Sequence, residues 1–147
     1  MSYQHILVAV DESPISFAAA AQARQLASLT QSKVTLLSVV AVDPFIGVDF
    51  YKVAPAITEY FMQAEKNAQA RLDELALGFQ NDGIEVSSKI VHGVAAAEGI
   101  LQTVEQLSAD LIMMGSHGRS GVEKLLLGSV AQKVLSEAKV SVLITKQ

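Results

Sequence analysis

Ile6-Leu7-Val8-Ala9-Val10-Asp11-Glu12-Ser13-Pro14 opens with five apolar, mostly branched side chains and closes on two acids, a cap residue and a proline. An unbroken apolar run this short is the pattern of a strand covered on both faces; a half-buried strand would alternate. Pro14 follows Ser13 as a first helical residue follows its cap. The alanine-rich segment that continues to about Leu29 has high helix propensity. A buried strand therefore runs directly into a helix, and this unit sets the frame for the rest of the chain.

The unit recurs. Residues 34–42 repeat the branched apolar pattern of a buried strand. Over 57–79, Phe61, Ala64, Ala68, Leu72, Leu75 and Phe79 recur at three- and four-residue spacing, which predicts an amphipathic helix with a charged back face. Gly83 marks the turn out of it. Residues 84–91, with Ile84, Val86, Ser88 and Ile90 on one face, read as a third strand closed by Gly93. A helix over 95–107, a strand over 111–114 and a final strand carrying Val140, Val142 and Ile144 complete the series. Strands separated by helices imply parallel crossovers, hence an α/β fold: a single open five-stranded parallel sheet with helices on both faces. No linker, repeat or low-complexity tract interrupts it, so residues 1–147 are read as one domain. The connection at 43–55 is long and contains Phe45, Ile46, Val48, Phe50 and Tyr51. Such a segment is either a binding lid or an apolar strap tucked under the next helix.

Composition narrows the chemistry. The chain has 147 residues, half of them apolar, which is enough to bury roughly two thirds of its unfolded surface without staples. With no cysteine there is no disulfide, thiolate metal site or thiol nucleophile. His5, His92 and His117 are scattered and lack the one-turn spacing of a zinc helix, so no metal site is expected. A net charge of -4, from 11 basic and 15 acidic residues, provides no basic field for nucleic acid. No apolar run approaches the roughly 18 residues of a membrane span, and Met1 to His5 carries no basic flank of a secretion signal. The expected location is the cytoplasm.

Four of the nine glycines, Gly115, Gly118, Gly121 and Gly128, fall just after the fourth strand. Ligands of open parallel sheets bind at the carboxyl ends of the strands. Glycines there let backbone N–H groups face an anion with no Cβ in the way. Ser129 with Gln132 three residues later has the form of a capping box, which starts a helix at Ser129 whose free N–H groups attract anions. Arg119 and Lys124 place positive charge nearby, either on phosphate oxygens or simply in solvent. Neither the Gly-Lys-Ser/Thr loop nor the dinucleotide glycine spacing is present, so the site has another design.

Gly115, two residues, Gly118, nine residues, then Gly128-Ser129 resembles the nucleotide motif of the universal stress protein family, of its ATP-binding type. The run 112–130, the opening through Pro14, the Val91-His92-Gly93 turn, Ala109-Asp110-Leu111-Ile112 and the last strand are similar in order and spacing, so the resemblance covers nearly the whole chain. It implies a Rossmann-like sheet of adenine nucleotide alpha-hydrolase type, dimeric through the last strand and binding ATP, with or without Mg2+. Asp11 and Val39 would contact the adenosine part, with Ala9 lining the same pocket. Met114, Gly115, Ser116, His117, Gly118, Arg119 and Ser120, with Gly128, Ser129 and Val130, would hold the ribose and phosphates. The chain departs from the family at Ser141, where proline is common, and at Glu12, where a smaller or apolar residue is common.

Several residues admit two readings. Asp11 either faces the ligand or caps the next turn. His117 is a phosphate contact, a proton-transfer group or an exposed loop residue. His5 and His92 read as structural. The apolar last strand leaves an edge unless it is paired, which on physical grounds also favours a homodimer. Three functions fit: a nucleotide-dependent regulatory module, which the absence of an evident base and nucleophile pair favours; a slow ATP hydrolase; and a nucleotide-free dimeric scaffold. The protein partner and the stress or signal involved are not encoded in any motif.

Overall fold

The computed structural model describes residues 3–40, 55–117 and 127–146. Five strands, β1 (His5–Ala9), β2 (Lys33–Val40), β3 (Val86–His92), β4 (Leu111–Gly115) and β5 (Ser141–Thr145), form one sheet. All neighbouring pairs are parallel, in the order β3-β2-β1-β4-β5. The helices are α1 (Pro14–Thr30), α2 (Pro55–Asn81), α3 (Ala96–Leu107) and α4 (Ser129–Glu137). The strand order is that of the doubly wound nucleotide-binding sheet without its sixth strand.

The unbroken apolar runs are explained by two cores, one on each face. Ile6, Val8 and Val10 point with Leu36, Leu111 and Met113 toward α1 and α2, where Ala20, Ala23, Leu72 and Phe79 meet them. Leu7 points with Leu37, Ile112 and Met114 toward α3 and α4, against Ala97, Ile100, Val104, Ala131 and Val134. Ile6, Leu7 and Val8 are each fully buried although successive side chains oppose one another. Alanine at 19, 20, 23 and 27 keeps α1 close to the sheet, since a larger side chain there would hold the helix off.

Boundaries differ from the sequence reading by one or two residues at several elements, among them the third and last strands. The third strand starts at Val86, not Ile84. The Ile84 N–H closes α2 by donating to the Phe79 carbonyl at 3.0 Å, so it is unavailable to a ladder. Gly83, at φ 74°, makes that reversal and leaves Ile84 buried against the α2 core. The last strand, read from its apolar run as Val140 to Ile144, spans Ser141 to Thr145, with Val142 and Ile144 inward and Leu143 outward. The lid-or-strap segment of 43–55 lies outside the described residues except for Pro55, which begins α2. Ser13 and Pro14 take the cap and first helical positions as read, but the Ser13 hydroxyl makes no cap bond.

At the amino edge, the Asp110 carboxylate accepts the backbone N–H groups of Gln4 at 2.9 Å and His5 at 2.9 Å, clipping the start of β1 to that of β4. His5 is structural, as expected: it is buried, and its Nε2 sits 2.8 Å from the Thr35 hydroxyl. Burial, followed by the Lys33 charge, lowers its pKa below 6.5, against smaller opposing effects of the Leu107 carbonyl, Asp110 and Glu85. The neutral ring therefore favours the folded state. Its stabilisation is fully present above pH 6.5 and is lost as pH falls through the folded value, because the unfolded chain takes up the proton first. In urea titrations, His5→Gln is expected to cost about 1 kcal/mol at pH 7.5 through the Thr35 bond and to show a smaller loss than the native chain between pH 7.5 and 5.5. Equal losses would remove this account.

Candidate functional site

After β3 the chain returns to the other side of β1, so the connections leaving β1 and β4 diverge and open a crevice at their carboxyl ends. The β1–β4 register, Leu7 opposite Ile112 and Val8 opposite Met113, brings the Ala9–Asp11 corner beside the Met114–His117 corner. Val39 lies two residues beyond Leu37, the partner of Ala9, and so reaches the same edge from β2.

The β4 corner is built from backbone. The Ser116 N–H donates to the Thr145 carbonyl at 2.9 Å, and the Ser116 carbonyl accepts the Gly128 N–H at 2.7 Å. A Cβ on Gly128 would lie 3.1 Å from the His117 Cα and 3.4 Å from the Ser116 oxygen, so glycine eases a close approach of α4 to this corner. The ends of the glycine segment are thereby held together across eleven intervening positions of sequence, residues 117–127. Ser116 is buried, and its hydroxyl lies 3.2 Å from Nδ1 of the half-buried His117.

The head of α4 differs by one position from the predicted capping box. Gly128 is the cap residue, Ser129 is the first helical residue with an exposed side chain, and no side-chain cap bond forms. Gln132 reaches back past the cap to the Leu127 carbonyl at 2.6 Å. The cap lies at Gly128, whose N–H bonds the Ser116 carbonyl and where a Cβ would crowd the His117 backbone. The first helical bond runs from the Gln132 N–H to the Gly128 carbonyl at 3.0 Å, so the N–H groups of Ser129, Val130 and Ala131 have no intrahelical acceptor. No acidic residue sits in this first turn to compete for them.

Asp11 closes the turn that leads from β1 into α1. Its Oδ1 accepts the Ser13 N–H at 2.8 Å and the Ser13 hydroxyl, and its carbonyl accepts the Ser16 hydroxyl at 2.9 Å. Ala9 and Val39 are half-buried at the rim of the core shared with α3 and α4. Met114 is 5% exposed within that core, so only its backbone can reach a ligand. Gly115 is half-buried, and a Cβ there would lie 2.7 Å from Ile15 Cγ2. Val130 is half-buried one residue into α4. Gly118, Arg119 and Ser120, together with Gly121 and Lys124, lie outside the described residues.

Sequence reasoning missed three supporting residues. Thr145 anchors Ser116 through its carbonyl while its hydroxyl donates to Gln22 on α1 at 2.8 Å, a link across 123 positions with no local signal. Gly99 of α3 abuts Val39; an isolated glycine within a helical pattern is the signal that could have found it. Among the described residues no cluster of His, Asp and Glu could hold a metal ion, and no helix is long and apolar enough to cross a membrane. Two cavities, of about 180 and 350 Å3, open at the amino edge beside Val140 and beside His5, on the side of the sheet away from this corner.

The profile of the universal stress protein family matches residues 2–146. The chain belongs to the universal stress protein family. It is 32% identical to universal stress protein MJ0531 of Methanocaldococcus jannaschii over 99% of this chain and 83% of that one. Its fold superposes on universal stress protein UspA from Lactobacillus plantarum with a TM-score of 0.90 at 22% identity, covering 99% of each chain. A universal stress protein solved in complex with cAMP superposes with a TM-score of 0.70 at 24% identity, over 99% of this chain and 98% of that one. Family membership and the α/β fold thus agree with the motif reading.

The β4 corner of this universal stress protein makes a direct test of its packing possible. Gly115→Ala is expected to cost about 1–3 kcal/mol, because the added methyl overlaps a branched side chain in a filled core. In an Ile15→Ala background, which removes both overlapping γ-carbons, the same change should cost close to nothing. Urea unfolding of the four chains decides it, and additive costs would show that the overlap is relieved elsewhere.

Proposed function

We propose that the crevice at the carboxyl ends of β1 and β4 binds ATP, with or without Mg2+, and that occupancy makes this universal stress protein a nucleotide-dependent regulatory module in the stress response. One observation carries this reading: the head of α4, whose first N–H groups have no intrahelical acceptor, is bonded through the Gly128 N–H to the Ser116 carbonyl beside the Gly115–His117 backbone at the topological switch point. Such a site suits a phosphate chain in an acidic protein, since it uses local donors. In this reading Gly115, Ser116, His117, Gly128, Ser129 and Val130 hold phosphates and ribose, joined by Gly118, Arg119 and Ser120. Asp11 offers its second carboxylate oxygen to the ribose, while Ala9 and Val39 line the base. The cAMP complex of a relative with the same fold supports an adenine nucleotide as the ligand class. A cytoplasmic setting accords with a cysteine-free chain that uses a cytosolic nucleotide.

Calorimetric titration with ATP should show saturable binding by the native chain and at least tenfold weaker binding by Gly128→Val, whose added carbons press on the His117 backbone. No heat with a folded native chain would end the nucleotide reading. Single-turnover phosphate release with Mg2+ at the buffer rate is the outcome expected of a regulatory module; faster release would replace that role with hydrolysis.

The second element of the proposal is a homodimer through β5. Within the described residues β5 pairs with β4 on one side only, and Leu143 is 37% exposed on a strand that also carries Val142 and Ile144. An apolar edge of this kind is a template for another chain. Light scattering at micromolar concentration should give twice the chain mass, and Leu143→Lys should shift it toward the monomer. A native monomer at that concentration would exclude the dimer.

A further inference from the structure

Gly99 stands in the body of α3, where glycine weakens a helix by about 1 kcal/mol relative to alanine. Its own backbone is fully engaged: the N–H donates to the Ala95 carbonyl at 2.9 Å and the carbonyl accepts the Thr103 hydroxyl at 2.7 Å. What alanine would disturb is packing. A Cβ at this position would lie 2.8 Å from Val39 Cγ2, 3.1 Å from Val39 Cγ1 and 3.3 Å from Val94 Cγ2. Val39 is β-branched and held in β2 by its pairing with Val91, so its χ1 cannot swing aside cheaply. With a methyl at 99, either Val39 is driven away from α3 or α3 backs off from the carboxyl end of β2.

Val39 is also where this helix meets the crevice. Together with Ala9 it forms a half-buried rim on the core shared with α3 and α4, flanked by Val94 at the helix start. These side chains carry no polar atom. A surface of small and branched apolar groups accepts the flat face of a heteroaromatic base and gives nothing to a phosphate or a sugar hydroxyl. We infer that Gly99 is a positioning residue for the base: its missing Cβ lets Val39 lie back against α3, and so sets the depth of the apolar shelf on which a purine rests. This inference rests on the ATP reading above and adds to it a residue that touches no ligand.

The test compares Gly99→Ala with the native chain, titrating ATP, adenosine and inorganic triphosphate. Altering a pocket by one methyl is worth about tenfold or more in discrimination. ATP and adenosine are expected to bind Gly99→Ala about tenfold more weakly, while inorganic triphosphate, which lacks the base, keeps its native affinity. In a Val39→Ala background the methyls that collide are absent, so adding Gly99→Ala should change ATP affinity less than about twofold. Unchanged ATP affinity in Gly99→Ala, an equal loss for triphosphate, or additive losses in the double variant would each overturn the role given to Gly99 while leaving the anion corner standing. A native chain that binds neither ATP nor adenosine would instead overturn the nucleotide reading, and this inference with it. The packing is tested without any ligand by methyl NMR: the Val39 methyl resonances, assigned by their loss in Val39→Ala, should move in Gly99→Ala. Unmoved resonances would refute the collision.

Discussion

The backbone of Ser116 ties the carboxyl end of the sheet together. Its N–H is bound to the Thr145 carbonyl of β5 and its carbonyl to the Gly128 N–H at the head of α4. One residue thus fixes the ends of β4 and β5 and the start of α4. All of these are backbone bonds in a largely buried position, where an unmade bond costs about 1–3 kcal/mol. The geometry of the candidate site follows from them: α4 cannot start elsewhere without breaking the bond to the Ser116 carbonyl, and a Cβ at residue 128 would crowd the His117 backbone there.

The same constraint sets the head of α4 beside the β4 corner in a chain whose overall charge is acidic. The net charge is -4, and the first turn of α4 carries no acidic residue of its own. The field there is local: the first three N–H groups of α4 have no intrahelical acceptor, and the positive end of one helix acts within about a turn. The acidic groups with assigned partners are engaged elsewhere. Asp110 clips the amino edge, Asp82 pairs with Arg24 between α1 and the end of α2, and Glu98 and Glu105 face Lys133 and Lys139. Asp11, at the β1 corner, spends one carboxylate oxygen on Ser13.

Much of this was legible from residues alone, for identifiable reasons. The unbroken apolar runs at Ile6–Val10 and again before residue 40 required cover on both faces, and two cores supply it. The amphipathic spacing from Phe61 to Phe79 placed Leu72 and Phe79 correctly in the α2 core. Misreadings arose where a backbone group already had another partner. Ile84 looked like strand by its alternation, but its N–H was committed to closing α2; Ser129 looked like a cap by its side chain, but the contact with Ser116 moved the cap to glycine. The supporting pair Thr145 and Gln22 left no trace in the pattern, because hydrogen bonds between distant polar side chains have no period.

The sequence by itself determined the kinds and order of the elements, because periodicity, capping and turn chemistry act over a few residues. It also marked Gly115 and Gly128 as special, since glycine clustered after a buried strand has a backbone meaning. Only the tertiary structure decided which elements lie side by side. The pairing of Leu7 with Ile112, the approach of Gly128 to Ser116 and the seat of Val39 against Gly99 each join segments distant in sequence. Those contacts depend on the strand order and on close packing at the sheet's carboxyl edge, which no local pattern specifies.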